Sequence, residues 1–465
     1  MPRPTAAIKT LGCKLNQYES EQMRVQLESL GYCMIDYEAG AELCIVNSCT
    51  VTSRTDRDTR RLARRAKRLN PGAYVVVAGC YVEVARQDLE AIPEIDLLIG
   101  NADKTRLAQL LPCADDAPAM AACYGDAGPI ISHFSGHTRA FVKVQEGCNA
   151  RCAYCIIPEA RGPSRSVEPQ QVLSQCRALA EVGCPEIVFI GTHLGQYGRD
   201  LESNIDLAEL LSRACELPVP RVRLSSLEPR EISREIVAMI QEGGRALEVG
   251  LTPDPSPGGR GAKAKNGQGR VLDGDGELAV FGKLCRHLHI PLQSGCDSVL
   301  QRMNRPYDTA FYRELVLRIK DLQPDTGIGA DVIVGFPGET DAEFEATRQF
   351  IESLPLSYLH VFTYSQRRGT PAAEMPQQVD YEVRKARNHL LRHISEHKRE
   401  QFAQSMVGKC LEVVLQTPQD NGTVRGISDN YLQVEVAGAA GKSGEVVKVE
   451  IEAAKAARLA GRLAE

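Results

Sequence analysis

Phe141-Val142-Lys143-Val144-Gln145-Glu146-Gly147-Cys148-Asn149-Ala150-Arg151-Cys152-Ala153-Tyr154-Cys155 is the stretch that decides the fold. Its first five residues read as a strand that runs straight into a loop of three thiols, spaced C-x3-C-x2-C. No fourth cysteine follows at short range. A structural zinc site closes a tetrahedron with four ligands, and an ordinary [4Fe–4S] ferredoxin site also takes four thiolates. Three thiolates on one loop leave one iron open to a small molecule, so the loop reads as a reaction centre. The plainer readings are a chance cluster among sixteen cysteines, or a zinc knuckle that borrows a distant ligand.

Further strand-like runs follow at intervals: Ile187 to Ile190, Val222 to Ser225, His287 to Ile290, Gly329 to Val334 and Tyr358 to Phe362. Helical stretches separate them, at Glu168 to Val182, Leu207 to Glu216, Glu231 to Ile240, Ser298 to Leu322 and Asp341 to Leu354. Strands alternating with helices predict parallel βα units wound right-handedly. Six strands are too few for a closed barrel of eight. Barrel chemistry gathers at the C-terminal strand ends, which is where the cysteine loop falls. Gly191 to Gly198, Ser225-Ser226-Leu227-Glu228-Pro229, Pro291 to Gly295 and Gly335 to Thr340 occupy the later strand ends. Glycines there admit a ligand to the backbone, and Ser, Gln and Glu can bond a ribose or an ammonium. Arg161 and Arg165 can pair with a carboxylate. Taken singly, each segment is more often a turn and a helix cap. His193, His287 and His289 are assigned to no metal, because histidines beside strand residues are usually packed or hydrogen-bonded.

A second cysteine set lies upstream. Cys13, Cys49 and Cys80 each end an apolar run and precede a polar or helical segment. In a parallel sheet such ends share one edge, so three loops can converge. Three unrelated buried cysteines are the competing reading. The other ten cysteines, Cys33, Cys44, Cys113 and Cys123 among them, read as packing.

The C-x3-C-x2-C loop resembles that of the radical S-adenosylmethionine (SAM) superfamily. Leu11-Gly12-Cys13-Lys14-Leu15-Asn16-Gln17-Tyr18-Glu19, Asn47-Ser48-Cys49-Thr50-Val51-Thr52 and Ala78-Gly79-Cys80-Tyr81 resemble the N-terminal domain of the methylthiotransferases. The first of these is similar to the branch acting on N6-threonylcarbamoyladenosine at tRNA position 37. The resemblance implies an α/β chain in three parts. Residues 1–125 form a parallel α/β domain, 135–403 a partial (β/α)6 barrel, and 404–465 a small all-β TRAM barrel. It implies two [4Fe–4S] clusters, an auxiliary one on Cys13, Cys49 and Cys80 and a SAM-binding one on Cys148, Cys152 and Cys155. It implies that one SAM methylates sulfur held at the auxiliary cluster, and that a second is cleaved to a radical that takes hydrogen from C2 of the adenine, where the methylthio group is transferred. Tyr154, Arg161, Gly191, Ser226, Glu228, Gln293 and Gly335 are the expected SAM contacts. Methylthiolation of isopentenyladenosine or of a ribosomal protein is the nearest alternative. A non-catalytic RNA-binding protein with structural metal clusters is the alternative from another class, and SAM cleavage by reduced protein separates it from an enzyme.

From about Met406 short strands and turns predict an OB-like barrel. Its seven Lys/Arg against eight Asp/Glu confine any RNA contact to a local face. Arg54 to Arg68 is more basic, with eight Lys/Arg and two Asp in fifteen residues. On a helix Arg57, Arg61, Arg64 and Arg68 share one side, an RNA-binding candidate set against a merely solvated helix. Leu251 to Gly276 has ten Gly or Pro in twenty-six residues, which predicts a disordered insertion. It joins a helix to the His287 strand, on the barrel face away from the chemistry.

A length of 465 residues suits two to four domains. No run of eighteen apolar residues predicts a membrane span, and no apolar leader follows Met1. Sixteen cysteines without an export signal predict a reducing cytoplasm. A net charge of −5 leaves nucleic-acid contact to local patches. The expected partners are a tRNA substrate and a reducing electron donor, with no membrane and no DNA.

Overall fold

Residues 3–112, 128–134, 136–241 and 283–464 are described by the structure, a computed structural model. The insertion expected at Leu251 to Gly276 lies outside the described residues, as do Cys113 and Cys123.

Short apolar runs build the first sheet: β1 (Thr5–Thr10), β2 (Cys33–Met34), β3 (Leu43–Ser48), β4 (Tyr74–Gly79) and β5 (Leu97–Ile99). Their order is β2-β1-β3-β4-β5, and every pairing is parallel. Helices α1 (Lys14–Ser29), α2 (Ser53–Leu69), α3 (Cys80–Glu90) and α4 (Leu107–Leu110) return the chain. Helix α1 serves two cores. Met23 and Leu27 pack under the sheet, while Leu15 and Tyr18 join the core of the second domain. Helix α2 opens with reciprocal bonds between Thr52 and Thr55 and closes on Lys67 and Arg68, which suit its dipole. It buries only a Leu62-Ala63-Ala66 stripe, with Asp56 and Thr59.

The second domain carries β6 (Arg139–Lys143), β9 (Glu186–Ile190) and β10 (Arg221–Leu224) in one parallel group. A ribbon of β7 (Gln145–Glu146) and β8 (Arg165–Ser166) follows β6. Strands β11 (His287–His289), β12 (Gly327–Val334) and β13 (Tyr358–Thr363) form a second parallel group. Parallel bridges Val222–Leu284 and Ser226–His289 join the two. The result is six parallel strands in sequential order, the partial barrel expected from the sequence. Helices α5 (Ile157–Arg161), α6 (Pro169–Glu181), α7 (Leu207–Glu216), α8 (Arg234–Gln241), α9 (Asp297–Arg302), α10 (Thr309–Leu322) and α11 (Asp341–Ser353) run between strands.

One helix expectation needs correction. Ser298 to Leu322 is two helices, because Asn304 turns left-handed at φ 57° and Pro306 cannot continue α9. That break has a use, since Asn304 Nδ2 donates to the Arg151 carbonyl at 2.7 Å and Met303 accepts from Ala153 N–H at 2.9 Å. The turn therefore braces the cysteine loop.

After α12 (Pro371–Glu374), the 24-residue α13 (Tyr381–Gln404) leads into a closed barrel. Its strands β14 (Cys410–Pro418), β15 (Val424–Ser428), β16 (Gln433–Ala437), β17 (Val446–Lys455) and β18 (Arg458–Leu463) run in the order β14-β15-β16-β18-β17. This small barrel seats on the N-terminal strand ends of the larger one. Arg221 and Arg223 reach the carbonyls of Glu412, Ile427, Ser428 and Asp429, and Arg286 pairs with Asp429.

Candidate active site

Because β1, β3 and β4 are neighbours, the loops carrying Cys13, Cys49 and Cys80 leave adjacent strand ends. Gly12 holds φ +96°, and a Cβ on it would lie 2.5 Å from that of Cys49. Only glycine lets the first loop close over the second. Burial pushes the Cys49 thiol up to about 11, and the charges of Cys13 and Cys80 add to it. Cys80 is raised by burial too, against the pull of Arg161 and Lys104. Three thiols that act on one another, two of them buried, suit a bound metal that supplies the missing positive charge.

Cys148, Cys152 and Cys155 form the other set, at the C-terminal edge of β6. Burial pushes Cys155 up to about 12, with Cys152 and Cys148 contributing. Cys148 Sγ lies 3.3 Å from His193 Nδ1, and His193 Nε2 is 2.9 Å from Glu231. Arg305 donates to Cys152 Sγ at 3.1 Å and ion-pairs with Glu228. Nothing in the sequence near Arg305 ties it to Cys152, because the contact depends on the α9–α10 break. Among the strand-end side chains, Thr192 Oγ1, Ser225 Oγ and Gln293 Oε1 are buried without a partner. Orphaned polar atoms in a row at a barrel mouth fit a polar ligand.

The expected SAM contacts fall in different surroundings. Tyr154 packs beside Ala153, Val299, Phe336 and Tyr364, next to the loop. Glu228 is held by Arg305, Ser226 is exposed on its bridge to His289, and Gly191 lies against Gln145. Gln293 sits at φ 64°. Gly335 lies against the Arg384 side chain. Arg161 has protein partners instead of a free fork. It pairs with Glu19 at 2.7 Å and Glu146 at 2.8 Å, and donates to Asn16 Oδ1 at 2.6 Å. Its charge acts on Cys80 and Cys13.

Arg161 thus belongs to the wall between the two cysteine sets. Asn101 joins it, donating to Cys80 Sγ at 3.6 Å and to the Ala160 carbonyl at 2.6 Å. Helix α3, which begins at Cys80, packs against α5, which follows Cys155. Cys80 and Cys155 therefore lead into helices that meet at the domain contact. Glu19, Lys104 and Asn101 were not legible as part of it, since they meet Arg161 only through the domain contact. Arg57, Arg61, Arg64 and Arg68 all lie exposed on α2. Arg61 pairs with Asp58 at 3.1 Å and Arg64 with Glu94 at 3.8 Å. Among the described residues no helix is long and apolar enough to cross a membrane.

Comparisons with known proteins agree with this geometry. Residues 5–100 match a profile described as Uncharacterized protein family UPF0004. Residues 142–253 and 269–351 match that of the Radical SAM superfamily, a match interrupted within the expected insertion. The threonylcarbamoyladenosine tRNA methylthiotransferase MtaB of Bacillus subtilis is 35% identical, over 96% of this chain and 93% of its own length. Its Aquifex aeolicus counterpart is 32% identical, over 92% and 96%. A tRNA-2-methylthio-N(6)-dimethylallyladenosine synthase of Desulfitobacterium hafniense is 28% identical, over 97% and 95%. Among solved structures, the radical SAM methyltransferase TsrM of Kitasatospora setae shares the fold, with TM-score 0.52 and 14% identity, over 80% of this chain and 75% of that one. A six-stranded parallel half-barrel with an open three-cysteine loop at its mouth defines a radical SAM enzyme. With the second cysteine domain in front and full-length relatives above 30% identity, the chain belongs to the family of radical SAM tRNA methylthiotransferases.

Proposed function

We propose that this protein transfers a methylthio group to C2 of N6-threonylcarbamoyladenosine at tRNA position 37. The observation that carries the reading is the packing of α3, which begins at Cys80, on α5, which follows Cys155, in a chain whose relatives at 31–35% identity are named for threonylcarbamoyladenosine. Cys13, Cys49 and Cys80 hold one [4Fe–4S] cluster, and Cys148, Cys152 and Cys155 hold the other, which binds SAM. When bound, these groups supply the electron that cleaves SAM and the sulfur that is transferred.

The chain's own residues frame that chemistry. Arg305 sets a positive charge against Cys152 and is itself fixed by Glu228. His193 bridges Cys148 and Glu231. Thr192, Ser225 and Gln293 present unsatisfied polar atoms to SAM, with Tyr154, Gly191, Ser226, Glu228 and Gly335 around them. Arg161 holds the auxiliary loop against the barrel and does not reach for SAM. The C-terminal barrel and the α2 face of Arg57, Arg61, Arg64 and Arg68 contact the tRNA. A reducing electron donor in the cytoplasm completes the system. Nucleoside mass spectrometry of tRNA from a deletion strain tests the reading. The 2-methylthio derivative of threonylcarbamoyladenosine should vanish while that of isopentenyladenosine stays. The reverse pattern would transfer the assignment to the isopentenyl substrate.

A further inference from the structure

Each buried carboxylate among the described residues faces an arginine or a lysine: Glu19, Asp56, Glu186, Glu339 and Asp429. Asp331, in the middle of β12, does not. Its side chain is only 23% exposed, and its partners are two imidazoles. Oδ1 lies 2.8 Å from His289 Nε2 and 3.4 Å from His360 Nδ1. A carboxylate withdrawn from water calls for positive charge, and a neutral imidazole carries none.

Strand pairing builds this meeting. Asp331 is in register with His360 on β13, and His289 on β11 is in register with Gly329. Gly329 and Asp331 are two residues apart, so the three side chains stand on one face of the sheet. His287 shares that face two residues earlier, where Tyr431 of the small barrel stacks on it. The cluster is thus one layer above the barrel floor. Its donor atoms all lie within 4.8 Å of one another. Zinc bonds nitrogen and oxygen at about 2.0–2.2 Å, which sets the ligand atoms of a tetrahedron roughly 3.3 Å apart. Two imidazoles and a carboxylate suit zinc or another divalent first-row metal, with a position left for water. A metal-bound imidazole is oriented by a partner on its second nitrogen. His289 has one. Tyr358 Oη lies 3.2 Å from its Nδ1 and meets His287 Nε2 at 2.9 Å. Gly329 makes room for that ring, since a Cβ there would lie 2.2 Å from Tyr358 Cζ. His360 is half exposed, which gives an ion a way in.

We propose that His289, Asp331 and His360 bind a zinc-type divalent metal ion, at a third site separate from both cysteine sets. The ion supplies the charge that Asp331 lacks and ties together the last three strands of the large barrel. The site does not depend on which nucleoside the protein modifies.

The test uses full-length protein with its iron complete, so that the six cysteines are occupied. It is equilibrated with zinc sulfate without oxygen and then desalted. The wild type should retain a single zinc per chain beside its iron. His360→Gln and Asp331→Asn should each weaken zinc binding about tenfold or more, with iron at the wild-type level. X-ray absorption at the zinc edge should show nitrogen and oxygen at about 2.0–2.2 Å and no sulfur near 2.3 Å. Wild-type protein that takes up no zinc would overturn the proposal and leave the three residues a hydrogen-bonded network. Sulfur in the zinc shell would overturn it too, by placing the ion on the cluster cysteines. The competing surface site is on α13, where His389 Nε2 lies 3.3 Å from His393 Nε2. Zinc kept by both barrel variants but lost from His389→Gln would assign the ion there and overturn the proposal. If a barrel variant loses iron, zinc content and absorption of His389→Gln protein decide, since that change removes the surface pair and leaves the barrel residues intact.

Discussion

Replacing Cys13, Cys49 and Cys80 together by Ala should remove about half the bound iron, because alanine offers no thiolate. That variant should still yield 5′-deoxyadenosine from SAM when reduced, yet attach no methylthio group. Replacing Cys148, Cys152 and Cys155 should also remove about half the iron, and should abolish reductive SAM cleavage. Iron per chain and deoxyadenosine yield decide the matter, and unchanged iron in the first variant would return those three cysteines to ordinary packing. At this scale the sequence was informative wherever chemistry is local. The C-x3-C-x2-C loop announces itself within eight residues, whereas the demand for glycine at position 12 comes from Cys49 on another loop. Arg305, Glu231 and Asn101 have no such local mark. Each acquires its role from a chain segment far away, as Asn101 does from Ala160.

Helix α2 lays four arginines along its solvent side, and its last turn is basic as well. Changing Arg57, Arg61, Arg64 and Arg68 to Gln should weaken tRNA binding and flatten the plot of log affinity against log salt. The slope should shrink by about 0.7–0.9 for each phosphate that the variant no longer neutralises. Iron content should be unchanged, and a salt slope equal to wild type would leave α2 as a solvated helix. Deleting Leu251 to Gly276 behind a short linker should leave cluster content and turnover near wild type, because loop closure depends weakly on length. The described residues beside it favour this. Lys283 meets Val222 at the start of β10, away from the mouth. Loss of turnover in a deleted protein with full iron would give the segment a functional part. Strands β1, β3, β4 and the six of the large barrel were legible, most of them as short apolar runs, whereas β2 and β5, two and three residues long, were not. Helix α13 was not, since its few buried positions, among them Leu391, Phe402 and Ala403, are scattered through 24 largely polar residues. The single helix expected at Ser298 to Leu322 ignored what Asn304 and Pro306 say together.

The domains are locked by ionised groups rather than by apolar contact alone. Burial pushes the Glu19 carboxyl up, but Arg161 and Lys104 pull it well below the ordinary value of 4.5. A carboxylate lowered in the folded state contributes stability that is full above its unfolded pKa and fades as pH falls toward the folded one. The seam should therefore loosen as pH drops below about 4.5, and urea midpoints should fall with it. Arg161→Met should remove much of that dependence and cost about 3–5 kcal/mol at neutral pH, since Glu19 is left with Lys104 alone. A variant with the wild-type midpoint at pH 7 would show that the pair is decorative. The same contact has a temporal side. Glu19 waits for a partner 142 positions later in the chain, an interval on the order of ten seconds at the pace of a ribosome. During that time α1 has emerged with Leu15 and Tyr18 bare and with the auxiliary cysteines unroofed. The first cysteine set to be synthesised thus stays open until Arg161 follows, and whatever guards nascent thiols from oxidation must attend to it over that interval.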